Sequence, residues 1–424
     1  MDKNRYLENI SSGTLDNILS ILYTTAKIEE QKKRITNAIK RFSEVYPFRS
    51  DIHIYSASGR TEIGGNHTDH QHGCVIAAAV NLDVIGVTAF HNDGVIRIYS
   101  EGYNAFEVSL DDLKVHTGEV GTSAIVRGIA SKFSGICNKI GGFDMYVTSD
   151  VISGSGISSS AAFENLISTA IDTYYNQGKV GAVEIAKIGQ YAENVYFGKN
   201  SGLMDQMVSS VGGFVYIDFG DIENPTIEKI DFDLDSTGYK LIVTDTKGSH
   251  SNLTDDYVAI RSEMEAVAKV FGKTVLREVN EEDFYSNIVK VRNSTSDRAV
   301  LRSAHFFDEN RRAYDEAERL KNRDFMGFLK LVRESGMSSE NYLQNLYSSK
   351  NPIKQEIPFA LMLGKRILGE SGAIRVHGGG FAGTIQAFVP NEKVDKYIST
   401  MNGVFGNGAC YTLSVRSLGG TEII

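Results

Sequence analysis

A chain of 424 residues, 42% hydrophobic and 23% charged, has the composition of a folded globular protein of roughly two to four domains, which excludes a disordered or fibrous one. Its formal charge of −9 argues against nucleic acid or an anionic membrane as the main partner. Three scattered cysteines, Cys74, Cys137 and Cys410, have neither metal nor redox spacing, which argues against a disulfide framework and points to a reducing compartment.

The first ten residues carry charges where a signal peptide needs an apolar core, so a cytoplasmic location is expected. Residues 1–48 read as a polar, helical N-terminal extension. Strands are predicted at 52–56, 84–90, 95–99 and 143–147, where β-branched and aromatic residues concentrate. The stretch 73–90 comes nearest to a membrane span, but Asn81 and Asp83 fall inside it, and buried strands account for it better. Phe163, Leu166, Ile167, Ala170 and Ile171 recur at helical spacing. Further strands are predicted at 214–218 and 241–245. In the second half, Phe325, Phe328, Leu329 and Val332 share one helical face, and the Arg/Glu-rich stretch 309–323 reads as a solvated helix. Strands return at 374–376 and 384–389. This mixture predicts an α+β fold, with an extension at 1–48 and two domains at 49–230 and 231–424.

The run Gly154-Ser155-Gly156-Ile157-Ser158-Ser159-Ser160-Ala161 follows a predicted strand and opens an amphipathic helix. Glycine lets a backbone approach a ligand closely, and the first N–H groups of a helix lack internal partners. An anion there meets those donors and the positive end of the helix dipole, while serine hydroxyls can reach a Mg²⁺ bound to phosphates. The competing reading makes Ser158 an N-cap and the glycines a tight turn. Two other glycine motifs fail. Gly272-Lys273-Thr274 lacks the first glycine of a Walker loop, where Val267 stands. Gly378-Gly379-Gly380-Phe381-Ala382-Gly383 precedes a predicted strand, whereas a dinucleotide fold needs a helix there.

Between residues 59 and 73, Arg60, Glu62, Asn66, His67, Asp69, His70 and His72 gather hydrogen-bonding groups between apolar segments. That density suits a polyhydroxylated ligand. Its rivals are a polar surface turn and a metal site of His67, Asp69, His70 and His72, which lacks any helical His pair. Asp205 lies among apolar residues in Gly202-Leu203-Met204-Asp205-Gln206. It can accept or orient a hydroxyl proton, with Arg60 steadying the charge, or serve only as a helix-capping acid.

In this order the motifs resemble the GHMP kinases and, within them, the galactokinase family. The signature G-R-V-N-L-I-G-E-H-T-D-Y is matched in part by residues 59–70, G-x-G-L-S-S-S-A by 154–161, G-I-M-D-Q by 202–206 and T-G-A-G-F-G-G by 377–383. Tyr257 and Arg261 are similar to the segment E-Y-N-x-R-R. The resemblance implies a ribosomal-protein-S5-like N-terminal domain and a ferredoxin-like C-terminal domain. It implies ATP bound at Gly154, Ser155, Gly156, Ile157, Ser158, Ser159 and Ser160, and Mg²⁺ at Ser160 and Glu193. Asp205 becomes the catalytic base and Arg60 its helper, with Asn66, His67, Asp69 and Tyr257 as sugar contacts. The implied reaction moves the γ-phosphoryl group of ATP to the anomeric hydroxyl of galactose. The chain departs from the signature at two positions: Glu62 replaces its asparagine, and Asn66 replaces the glutamate that faces the sugar's C6 hydroxyl. Galacturonate, another sugar 1-kinase substrate, or a non-catalytic sugar and ATP sensor therefore stand as alternatives.

Overall fold

The computed structural model describes every residue except 120, 138, 152–155, 200 and 250–252. The strands in chain order are β1 (His53–Gly64), β2 (Cys74–His91), β3 (Val95–Ser100), β4 (Phe106–Ser109), β5 (Gly142–Ser149), β6 (Phe214–Asp218), β7 (Thr226–Ile230), β8 (Tyr239–Asp245), β9 (Ala373–Val376), β10 (Thr384–Pro390), β11 (Cys410–Leu413) and β12 (Thr421–Glu422). They form two sheets. The larger runs β12-β1-β2-β5-β3-β4, with β6 on β2 and β7 on β6; the smaller runs β11-β8-β10-β9. All pairs are antiparallel except β3 with β5.

Strand β2 is 18 residues long, where only its second half carries a strand signal. The alanine-rich half has weak β propensity, yet it pairs with β1 on one side and β6 on the other and is fully buried. Tertiary pairing overrides propensity there. Among the described residues no helix is long and apolar enough to cross a membrane, and the three cysteines are free thiols.

The N-terminal helices Lys3–Ser12, Asp16–Tyr23 and Ile28–Val45 are polar on one side only. Their other side buries Tyr6, Ile10, Leu19, Leu22, Ile35 and Phe42 against Ile54, Ile85 and Val87 of the larger sheet. The opposite face is covered by helices Thr122–Ile136 and Ser159–Asn176 through Ile129, Phe133, Leu166 and Ile167. The C-terminal tail returns to the same sheet, where β12 pairs with Tyr55 and Ser56 of β1.

The Arg/Glu-rich stretch is not a solvated helix, which corrects the sequence reading. It is part of helix Asp297–Lys321, which buries His305, Glu309, Ala313, Glu316, Ala317 and Leu320. Glu309 is tolerated because it meets partners inside, pairing with Arg312 and accepting from Ser335 Oγ at 2.6 Å. Neither oxygen of Glu316 has a hydrogen-bond partner among the described residues, and burial, then Glu309, pushes its pKa well above the ordinary value. Burial opposes ionisation of Glu309, but Arg312 and His305 outweigh it and hold its carboxyl down to about 2.

Asp83, fully buried, ties three segments together. It accepts from Tyr23 Oη at 2.5 Å, Arg34 Nη1 at 2.6 Å and Arg416 Nη1 at 3.2 Å, and from Ser56 Oγ. Burial would raise its pKa, yet the two guanidinium groups lower it below the usual carboxylate range. Removing one member of such a network leaves a buried charge without a partner. Asp83→Ala is expected to lower the unfolding free energy by about 3–5 kcal/mol, measured by urea denaturation; a change under about 1 kcal/mol would show that the network does not hold the N-terminal helices to the sheet.

Candidate active site

Two register shifts in the β1–β2 ladder, at Ser58/Arg60 and Glu62/Gly64, turn the side chains at the end of β1 out of the regular alternation. A bulge re-aims a side chain in this way. Arg60 is sent toward helix Met204–Val211, whose first turn carries Asp205. Arg60 Nε and Nη2 both lie 2.7 Å from Asp205 Oδ1. Asp205 Oδ2 accepts from Ser158 Oγ, and Arg60 Nη1 donates to the Gly156 carbonyl. Arg60 N also donates to Ile157 O at 3.0 Å. Gly59 permits that approach, since a Cβ there would stand 2.7 Å from Ile157 O.

The Arg60–Asp205 pair forms one wall of a cavity of about 320 Å³, lined also by Glu62, Asp69, Glu193 and Lys199. Glycines 378 and 379, from the turn between β9 and β10, close another side. Behind the wall lies an acidic cluster. Gln206 Nε2 donates to Glu164 Oε2 and Glu193 Oε2, both at 3.0 Å, and Lys199 Nζ stands 2.8 Å from Glu193 Oε1. Burial first, and the Glu193 charge second, push the Glu164 carboxyl well above its ordinary pKa. Its Oε1 is buried with no partner. Hard oxygen donors crowded this closely suit a divalent cation of the magnesium type, and Glu193 is the member of the cluster on the cavity wall.

Of the residues expected to hold phosphate, Gly154 and Ser155 lie outside the described residues. Gly156 (φ +75°) and Ser158 (φ +55°) have left-handed backbones, and Ile157 is fully buried. Ser158 does not cap helix Ser159–Asn176: its hydroxyl turns to Asp205 instead. The N–H groups of Ser159, Ser160 and Ala161 therefore open this 18-residue helix without a hydrogen-bond partner among the described residues. Such donors suit an anion.

Of the expected sugar contacts, His67 and Asp69 line the cavity. His67 Nε2 donates to Gly379 O at 2.9 Å. Burial raises the pKa of Asp69 despite His67, and Asp205 adds to the rise. Asn66 also borders the cavity, but its amide is fully engaged inside the protein. Its Nδ2 donates to Glu62 Oε1 at 2.9 Å and Gly378 O at 2.7 Å, while its Oδ1 accepts from Asn345 Nδ2 at 2.9 Å and Ser339 Oγ at 3.4 Å. Tyr257 sits behind the glycine turn, donating to Gly380 O at 2.9 Å, and is not among the lining residues. His70 is held down to about 3, by burial and then by His67. Among the described residues no three His, Cys, Asp or Glu side chains converge to hold a metal. Glu62, singled out in the sequence as a departure from the signature, lines the cavity, and Lys199 and Gln206 join the site although sequence reasoning assigns neither a role. The one signal for them is their proximity to motif residues.

The model of the GHMP kinases N terminal domain matches residues 124–213, and that of the galactokinase galactose-binding signature matches residues 40–90. A galactokinase of Glaesserella parasuis serovar 5 is 31% identical over 358 residues, covering 84% of this chain and 89% of its own. A galactokinase of Actinobacillus pleuropneumoniae serotype 5b is 30% identical over 366 residues, covering 84% and 90%. Among solved structures, Lactococcus lactis galactokinase complexed with galactose superposes with a TM-score of 0.75 at 21% identity, covering 90% of this chain and 98% of its own. The Methanococcus jannaschii mevalonate kinase gives 0.61 at 15% identity, with 87% and 99% covered. The two-domain GHMP kinase fold is thereby shown.

Because Asn66 uses its whole amide internally, Asn66→Ala takes a donor from Glu62 Oε1 and from the Gly378 carbonyl and an acceptor from Asn345 Nδ2. The variant is expected to lose about 1–3 kcal/mol of stability in denaturant titrations. An unchanged midpoint would show that Asn66 does not hold the turn.

Proposed function

The chain belongs to the galactokinase family of the GHMP kinases and is an ATP-dependent sugar kinase, and from that membership we propose that it transfers the γ-phosphoryl group of ATP to the anomeric hydroxyl of galactose. The observation that carries the reading is the fixed Asp205 carboxylate, held by Arg60 and Ser158 at the wall of a cavity beside an unpartnered helix N-terminus.

A sugar in the cavity would place its reacting hydroxyl against Asp205, which orients it and takes its proton as the new O–P bond forms and the bond from the γ-phosphorus to the β,γ-bridging oxygen breaks, with ADP as the leaving group. Arg60 keeps the carboxylate from swinging and offers positive charge where the phosphoryl group passes. The N–H groups of Ser159, Ser160 and Ala161 would receive phosphate oxygens, and Lys199 lines the cavity as a second cation. Ser160 and Glu193 would hold Mg²⁺, which when bound offsets charge on the phosphates. No covalent enzyme intermediate is needed, since positioning and charge stabilisation carry such transfers.

We place the division into residues 1–48, 49–230 and 231–424, and a cytoplasmic site of action, within the same proposal. The free thiols are consistent with that location.

A coupled ADP-release assay with galactose and ATP tests the activity directly, and galactose binding without turnover would leave the sensor reading in its place. Asp205→Asn is expected to lower kcat by about 10²–10⁴-fold while galactose still binds by calorimetry. Near-normal turnover of that variant would remove Asp205 from its role.

A further inference from the structure

A second cavity, of about 570 Å³, opens where helices Thr254–Val270, Asp297–Lys321 and Glu356–Leu368 meet the π-helical turn Ser339–Leu343. It shares no lining residue with the cavity that holds Asp205. Arg298 and Arg302, on successive turns of helix Asp297–Lys321, both line it. One carboxylate holds both of them. Glu263 Oε1 accepts from Arg298 Nη2 at 2.5 Å, and Glu263 Oε2 accepts from Arg302 Nη1 at 2.9 Å. Arg302 Nε donates to Leu343 O at 3.0 Å. Arg298 Nη1 and Arg302 Nη2 are left without a hydrogen-bond partner among the described residues.

Arg302 is 2% exposed, so its free nitrogen has little besides the cavity to face. A buried donor without an acceptor carries a desolvation cost that a ligand can relieve. Burial lowers the pKa of Arg302 although Glu263 opposes it, so its charge is incompletely met inside the protein. Asp256, 8% exposed, lines the same cavity, and its charge acts on both guanidinium groups. Its Oδ2 accepts from Ser348 Oγ at 2.7 Å, while Oδ1 has no partner among the described residues. Free donors and a free acceptor thus face one space, each fixed from behind.

We propose that this cavity is a second ligand site, taking a small organic acid that carries one carboxylate and at least one hydroxyl or ammonium group. The carboxylate meets Arg298 Nη1 and Arg302 Nη2, and the hydroxyl or ammonium donates to Asp256 Oδ1. Charge decides between oxyanions. After Glu263, the two arginines keep one unit of positive charge, which one carboxylate matches. A phosphate monoester brings about −1.5 to −2, and Asp256 repels the excess. Glu340, also on the wall, is already paired with Lys365 at 3.0 Å. Asn341, Gln344 and Tyr347 add polar groups without charge.

The site backs onto the catalytic cavity. Gln344 and Leu346 line it, and Asn345 between them donates to Asn66 Oδ1 at 2.9 Å and to Gly379 O at 3.2 Å. Phe381, another part of its wall, belongs to the same glycine turn. The assignment is nevertheless independent of what the catalytic cavity binds.

Titration calorimetry on the full chain tests it with four probes: gluconate, glutamine, sorbitol and inorganic phosphate. Gluconate, glutamine or both are expected to bind with a dissociation constant of about 1 mM or tighter; which of them binds separates a hydroxyl donor from an ammonium. Sorbitol lacks the carboxylate and phosphate lacks the second group, so each is expected to bind at least about tenfold more weakly. Arg298→Ala is expected to weaken the bound acid at least about tenfold, because it removes a charged donor. Asp205→Asn, in the other cavity, is expected to leave that affinity within about twofold. No binding of either acid at about 10 mM, or sorbitol or phosphate binding as tightly, overturns the proposal. So does loss of binding in Asp205→Asn with retention in Arg298→Ala. Should Arg298→Ala fail to fold, Ser349→Trp, at an exposed lining position, fills the cavity and must abolish binding; binding that survives it overturns the site.

Discussion

Arg60 and Asp205 lie 145 residues apart in the chain, and their ion pair joins the end of β1, the turn at Gly156 and Ser158, and the helix Met204–Val211. Each of these segments comes from a different part of the larger sheet's surroundings, and none presents a reactive arrangement alone. The guanidinium fork makes the junction possible. Two of its nitrogens meet the carboxylate while the third meets a carbonyl, so one planar group fixes three pieces of backbone. Lysine would supply the charge but not the geometry. Ser158, held in a left-handed conformation, completes the arrangement by giving its hydroxyl to Asp205 rather than to its own helix. The strain at this position and the unpartnered helix donors have the same origin.

A second set of contacts fixes the sugar side. The end of β1 is held from below by Arg375 and Gln386 of the smaller sheet, and His377 bridges Thr61 and Thr384 at 2.9 Å each. Burial, then Arg60 and Arg375, keep His377 neutral, with its pKa lowered to about 3. A neutral imidazole donates with one nitrogen and accepts with the other, which suits a bridge between two hydroxyls. The glycine turn over the cavity is backed by Asn345 and Tyr257, and it tolerates that packing because Gly380 has no Cβ to strike Asn345 O, 2.1 Å from where one would stand. The two domains' sheets therefore meet across the cavity through hydrogen bonds, which holds the site in shape without ligand.

Much of this is legible in the sequence because chemistry concentrates in short runs. The order of Arg60, the 154–161 run and Asp205 points to one site through the resemblance to the GHMP kinases, and the strand that follows residues 378–383 rules out a dinucleotide motif there, as expected. Long-range partnership is what the sequence conceals. Helix Asp297–Lys321 reads as solvated because a charge run reveals nothing about which acids are buried, Glu309 beside Arg312 and Glu316 without a hydrogen-bond partner among the described residues. The N-terminal helices read as an appendage because their apolar stripe is narrow and its partner strand lies beyond it in sequence. Motif similarity assigns Tyr257 to the sugar and does not reveal that its hydroxyl donates to the carbonyl of Gly380, in a turn far along the chain. Of the two sequence readings of Ser158, cap or phosphate ligand, the structure does not bear out the cap: its hydroxyl donates to Asp205, an acceptor on another helix.

The density of acid around the cavity imposes a constraint on what can occupy it. Glu62, Asp69, Glu193 and Asp205 face inward against Arg60 and Lys199. A neutral polyol is compatible with that field, since each carboxylate is a strong acceptor for a hydroxyl and no net charge is added. A triphosphate is not, unless its charge is met elsewhere. The proposed reaction resolves the conflict by separation. Phosphates would meet backbone donors and the dipole of helix Ser159–Asn176, Glu193 would hold a divalent cation that offsets their charge, and the acids would be left to hydroxyls. The unpartnered Glu164 oxygen behind Gln206 fits the same division. Burial first, and the Glu193 charge second, raise the pKa of that acid and so disfavour a second negative charge in a place where phosphate would approach.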